Sequence, residues 1–277
     1  MATDGLGRRS RFRRTPTGKR LFLTERDLAI LRALYRYRYL RATQLVMLLR
    51  PKSERRLIER LGDLYHEAGL IDRPAAQWRR FDARYQPLIH ELSPKGLRYL
   101  ETCGPLPARA VTFARKDRAG TTPQFDHAMM IVDALVAVEL ATRNVSGQRF
   151  VPVDEILARA PVATRMARKP LAIPVTIRPG SHLPGLKDMV TTHVVPDALY
   201  GIEHLVDGEK RYRFYALECE HHSPRRRSTA KLSSTALKRA AYEALAQSKG
   251  FRETWGIPNL EVRIEHSRIA AEATAAA

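Results

Sequence analysis

The dipeptide Asp207-Gly208 constrains this chain most, because it stands between two runs of strand-type residues, His193 to Ile202 and Arg211 to Glu220. Asp-Gly supplies two successive residues that tolerate positive φ, which a two-residue hairpin turn requires. Such a turn fixes the register of both strands. Val206 then faces Glu209, and counting back along both strands sets Asp197 directly opposite Glu218. Opposed Cβ atoms lie about 4.5–5.5 Å apart. Glu220 shares the face of Glu218, since side chains alternate along a strand. Like charges placed this way repel unless something neutralises them. A divalent cation is the obvious candidate, because Mg²⁺ is held by one or two carboxylates with water and phosphate completing its shell. A longer turn shifts the register and weakens the pairing.

The flanking pattern alternates helix and strand. Phe125 to Thr142 carries apolar residues around nearly its whole circumference and predicts a largely buried helix. Arg149 to Val153 is strand-like, with Pro152 implying an edge or a bulge. Within the irregular stretch 158–192 one further strand is expected near Leu171 to Ile177. Ser228 to Gln247 predicts a helix and Leu260 to Ile264 a final strand. His221 and His222 are adjacent on a strand and point to opposite faces, so they form no metal pair. His127, on the apolar helix, reads as a core histidine.

Residues 21–102 have a different character. Thr24 and Asp27 make a capping-box-like start for a helix with Leu28, Leu31, Leu34 and Tyr35 on one face. A short helix follows over Ala42 to Leu49 and ends before Pro51. Ser53 caps a third helix, whose Leu57, Ile58, Leu61, Leu64, Tyr65 and Ala68 form an apolar stripe, and Gly69 ends it. Leu70 to Arg73 and Leu88 to Leu92 are short strands around a loop bearing Trp78, Arg79 and Arg80. Ser93-Pro94 then starts a fourth helix. Tyr35 reads as packing with the first helix and Tyr37 and Tyr39 as lying near its end, rather than as nucleophiles.

Charge decides the partner class. The 277 residues contain 48 Lys+Arg against 29 Asp+Glu, a formal net charge of +19. Such an excess points to a polyanion, nucleic acid first and an anionic membrane surface second. Arg8, Arg9, Arg11, Arg13, Arg14, Lys19 and Arg20 crowd a basic arm over residues 1–20, expected to stay disordered until it meets its partner. Residues 103–124 read as a linker, 125–266 as a second domain and 267–277 as a frayed tail. Two cysteines exclude a disulfide framework and a Cys-rich zinc site, and fit a reducing, cytoplasmic compartment. The most apolar stretch, Met129 to Ala141, is too short to span a bilayer. No phosphate-binding Gly-rich loop appears, which leaves an ATPase or helicase unsupported.

Three helices and a basic hairpin resemble a winged helix-turn-helix, and HELSPKGLRYL is similar to the exit of such domains. That resemblance implies double-stranded DNA as partner, with Lys52, Ser53, Arg55, Arg56 and Arg60 at the groove, Arg79 and Arg80 in the wing, and Arg11, Arg13 and Arg14 in the arm. Pro196-Asp197 followed by Glu218-Cys219-Glu220 resembles the PD-(D/E)XK nuclease motif, with Glu in the usual Lys slot. The resemblance implies a mixed α+β and α/β chain, a winged helix followed by an αβββαβ domain. It further implies Asp197 and Glu218 as metal ligands, Glu220 beside them, and Lys231 or one of Arg225 to Arg227 as the missing cation. The whole pattern, from LTERDLAILRALYRYRYLRATQL through FDHAMMIVDALVAVELA to PDALYGIEH and FYALECEHHS, resembles the replication-relaxation family of plasmids, phages and integrative elements.

Three functions fit these residues. The first is a double-stranded DNA-binding protein of a mobile element that positions a nuclease-like domain, alone, as a homodimer or beside other replication or mobilisation proteins. The second is an active Mg²⁺-dependent endonuclease or nickase. The third is a winged-helix transcriptional regulator with a non-catalytic second domain.

Overall fold

A computed structural model describes residues 9–79, 86–106, 122–179, 186–220 and 235–266. The chain divides into two compact units, Met1–Leu106 with Phe113–Val136, and Pro107–Thr112 with Ala137–Ala277. It is mixed α and β, as the sequence pattern predicts.

In the first unit, helix α1 (Glu25–Tyr37) starts where Thr24 N–H donates to Asp27 Oδ2 at 2.8 Å. It buries Ile30, Leu31, Leu34 and Tyr37. Strand β1 (Tyr39–Arg41) leads into α2 (Ala42–Leu49), which stops at Arg50 in a left-handed conformation ahead of Pro51. Ser53 Oγ accepts from Arg56 N–H and opens α3 (Glu54–Asp63). This helix widens into a π turn over Leu64–Ala68, and Gly69 ends it at φ 67°. Leu57, Leu61, Leu64 and Tyr65 are buried as the stripe predicts, but Ile58 is 47% exposed and leaves the core. It lies on the solvent side with Arg55 and Glu59, where a helix turn of 3.6 residues carries it.

Strands β2 (Ile71–Asp72) and β3 (Ile89–Leu92) pair antiparallel, with Ile71 facing Leu92, and β1 pairs with the other side of β3. Helix α4 (Pro94–Thr102) begins on Ser93, whose Oγ accepts from Gly96 N–H at 2.9 Å. Gly96 has to be glycine, because a Cβ there would lie 2.0 Å from the Leu70 carbonyl oxygen. Helix α5 (Thr122–Arg143) belongs to this unit as far as Val136. Phe125, Ala128 and Met129 pack with Tyr39, Ala76 and Ile89. Asp133 accepts from Gln44 Nε2 at 2.8 Å and pairs with Arg41. The helix read as the start of a second domain is therefore anchored in the first.

The basic arm departs most from expectation. Its residues from Arg9 onward lie along the first unit's own acidic surface. Arg9 pairs with Asp63 at 3.1 Å and Glu67 at 2.8 Å, Lys19 reaches Asp63 at 2.6 Å, and Arg14 reaches Asp72 at 2.5 Å. Main-chain contacts hold it as well: Thr15 N–H donates to His66 Nδ1, and Tyr65 Oη donates to the Phe12 carbonyl. Phe12 packs on Trp78, with ring centroids 5.1 Å apart. Ion pairs, hydrogen bonds and an aromatic contact together offset the entropy of ordering a strap.

In the second unit, β4 (Gln148–Val151), β7 (Ala198–Val206), β8 (Glu209–Glu220) and β9 (Glu261–His266) form one sheet in that order. The first three strands are antiparallel; β9 runs parallel to β8. Helices α6 (Val153–Arg159) and α7 (Val162–Met166) follow β4, and Pro152 falls just beyond this edge strand as the helix N-cap. Strands β5 (Ile173–Ile177) and β6 (Val190–Val194) pair separately. The expected single strand over 193–202 is thus two, broken around Pro196, whose missing N–H cannot join a ladder. Helix α8 (Thr235–Ser248) and the short α9 (Gly250–Trp255) precede β9. Leu199, Phe214 and Ala216 of the sheet pack with Ala240, Ala241 and Leu245 of α8 and with Trp255. Gly201 sits opposite Phe214, and a Cβ there would lie 2.9 Å from that ring.

Candidate functional site

The Asp207-Gly208 turn forms as predicted, with both residues at positive φ, 53° and 81°. Val206 faces Glu209 and Ala198 faces Leu217, so Asp197, one residue before β7, falls in register with Glu218. Cys219 N–H donates to Asp197 Oδ2 at 2.9 Å and ties the strand break to β8. Helix α8 closes the site from above. Lys238 Nζ contacts Glu218 Oε2 and lies 4.0 Å from Asp197 Oδ2. One turn further, Tyr242 Oη donates to Glu218 Oε1.

The electrostatics follow from this arrangement. The Glu218 side chain is 3% exposed and that of Asp197 is 19%. Burial, reinforced by the charge of Asp197, pushes the Glu218 carboxyl up to about 7, against the pull of Lys238 and Tyr242. Burial also raises the Cys219 thiol to about 12 and moves the Tyr242 phenol upward, so both stay protonated near neutrality. Lys238 lies against both acids, and burial keeps the proton on the more buried one up to about 7.

Glu220 ends β8 and is partly exposed. Among the described residues no group of three His, Cys, Asp or Glu side chains could hold a metal ion, so Glu220 does not join Asp197 and Glu218 as a third ligand. Lys231 lies outside the described residues, as do Arg225 to Arg227. Lys238 stands where a cation was sought. Its sequence signal is weak but present: Lys and Tyr at i and i+4 in an Ala-rich helix after two acidic strands put both groups on one face.

The first unit presents the basic candidates. Lys52, Arg55 and Arg56 are exposed at the start of α3, with Ser53 engaged as cap, and Arg55 also pairs with Glu59 at 2.9 Å. Arg60 points elsewhere. Its guanidinium grips Asp27 through Nε at 2.8 Å and a terminal nitrogen at 2.7 Å, and donates to the Phe22 carbonyl. Asp27 is fully buried; burial would raise its carboxyl, but hydrogen bonds from Arg60 and Thr24 outweigh that and hold it below the usual range. Arg13 is exposed, whereas Arg14 engages Asp72 and Arg11 donates to the Gln86 carbonyl. Arg79 belongs to a short 3-10 turn, Ala75–Arg79, and Arg80 lies outside the described residues.

Fold and site define a two-unit mixed α and β protein, with a basic helix start in one unit and an opposed acid pair in the other. The replication-relaxation family model matches residues 31–260, most of the chain, and the chain belongs to that family. Membership supports a role in plasmid or mobile-element replication or relaxation. No curated protein and no solved structure matches the chain. Among the described residues no helix is long and apolar enough to cross a membrane.

Proposed function

We propose that the chain is a double-stranded DNA-binding protein of a mobile element, in which the first unit holds DNA and the second is a nuclease-like domain brought to it. The observation carrying this reading is the exposed cluster of Lys52, Arg55 and Arg56 at the capped N-terminus of α3, beside a helix-and-sheet arrangement compatible with a winged helix. A helix start adds its own partial positive charge to three cations, and phosphate is the ligand such a surface recognises. The net charge of +19 supplies the long-range attraction. Binding should weaken steeply with salt, because neutralised phosphates release counterions. Measuring affinity for a duplex across salt concentrations tests this; a flat response removes the reading.

The second unit bears on a second reading, an Mg²⁺-dependent endonuclease. Opposed carboxylates on adjacent strands, followed by a crossover helix and a parallel strand, favour it. Their hard oxygen donors suit Mg²⁺ in kind. The arrangement does not suit it in place, since the Lys238 ammonium already lies against both acids and no third donor stands with them among the described residues. Incubating supercoiled plasmid with Mg²⁺ or Mn²⁺ decides between a silent and a cleaving domain. Nicking lost in Asp197→Asn and Glu218→Gln would install the second reading.

A further inference from the structure

We propose that Lys238 is the built-in counter-ion of Asp197 and Glu218, a side-chain ammonium standing where a divalent cation would bind, so that this pair becomes a metal site only when the lysine is removed. The inference concerns the second unit alone and does not depend on DNA binding by the first.

Among the described residues, Cys219 N–H donates to Asp197 and Tyr242 Oη donates to Glu218. The ammonium meets the other oxygen of Glu218 and lies within ion-pair reach of Asp197. The Glu218 side chain is only 3% exposed, so water contributes little to its charge. An ionised Glu218 therefore needs a cation beside it, and a lysine covalently fixed to α8 is present at an effective concentration that a dissolved ion cannot match. Lys238 itself remains 42% exposed, which leaves a solvent path to the carboxylates once its ammonium is gone. The replaced cation would need to be a hard one, since both donors are carboxylate oxygens.

The test uses the full chain and Mn²⁺ without DNA. Calorimetric titration and thermal melting are run on the wild type, Lys238→Met, Lys238→Arg and the double variant Asp197→Asn/Lys238→Met. Methionine keeps most of the length and removes the charge; arginine keeps the charge. The expected result is Mn²⁺ binding at least about tenfold tighter in Lys238→Met than in the wild type. Its melting temperature should fall without metal and recover with it. Lys238→Arg should resemble the wild type, and the double variant should lose the response to Mn²⁺ because one ligand is gone. Two outcomes overturn the proposal: wild-type chain binding Mn²⁺ as tightly as Lys238→Met, or a folded Lys238→Met that gains no affinity. Should Lys238→Met not fold, Lys238→Gln, which also removes the charge, takes its place with the same expected gain. Tight Mn²⁺ binding by the wild type or Lys238→Arg shows that the fixed cation does not hold the seat.

Discussion

Two charge clusters in this protein solve the same problem with opposite margins. Around Asp63 and Glu67 of the first unit, Arg9 and Lys19 approach from the arm, and threonine and glycine amides of the arm add further donors. Around Asp197 and Glu218 of the second unit, the Lys238 ammonium lies against both acids. The first cluster is saturated and holds the Asp63 carboxyl below its usual range, the cations outweighing burial. In the second, burial and the charge of Asp197 outweigh Lys238 and Tyr242 and lift Glu218 to about 7. Acids outweighed by their donors stabilise a fold; a buried acid that outweighs its donors keeps the capacity to take up a proton.

The comparison can be tested in order of effect. Arg60→Met should cost most, roughly 3–5 kcal/mol by chemical denaturation, because it strands the fully buried Asp27 without its bidentate partner. Asp27→Asn in the same chain should return part of that loss. Glu218→Gln should act in the opposite direction. A carboxyl raised from 4.5 to about 7 by folding leaves the wild type stable at low pH and weakens it as pH rises through that value. The glutamine variant should match the wild type in acid and exceed it by on the order of 2–3 kcal/mol above neutrality, read from denaturation midpoints across pH. Equal slopes for both chains would show the pair to be fully neutralised after all.

Smaller effects probe the saturated side. Arg9→Ala should lower stability by roughly 1–2 kcal/mol, since two partly buried carboxylates each lose a donor. A loss confined to DNA affinity, with stability untouched, would make the arm a ligand-facing tail rather than part of the fold. Arg56→Ala should change stability by less than about 0.5 kcal/mol. It should reduce the salt dependence of DNA binding by about one counterion, uniformly across sequences.

Local signals carried much of this structure. Asp207-Gly208 set the turn, and the turn set the register that brings Asp197 to Glu218. Ser53 and Ser93 marked two helix starts, and each accepts the amide three residues on. What escaped depends on contacts far apart in sequence. Arg9 and Asp63 are 54 residues apart, and nothing near Arg9 says that its charge is already claimed. Arg60 belongs with the basic face by periodicity, yet its partner Asp27 sits on another helix. Lys238 was visible as one of several cations beside the acidic strands, but only the packing of α8 picks it from the others. The break around Pro196 was local and readable, hidden because strand-type residues continue on both sides, Val194 and Val195 before it and Leu199 and Tyr200 after.

The π turn at Leu64–Ala68 has a consequence for how this lineage can vary. It holds an extra residue relative to a regular α-helix, and Tyr65, His66 and Glu67, which seat the arm, all lie inside it. Deleting a single residue there would restore the regular helix and move Tyr65, His66 and Glu67 from the positions they hold in the wider turn. The arm would then face the wrong residues. A change of length in this short segment therefore acts on the seating of the arm, some fifty positions away.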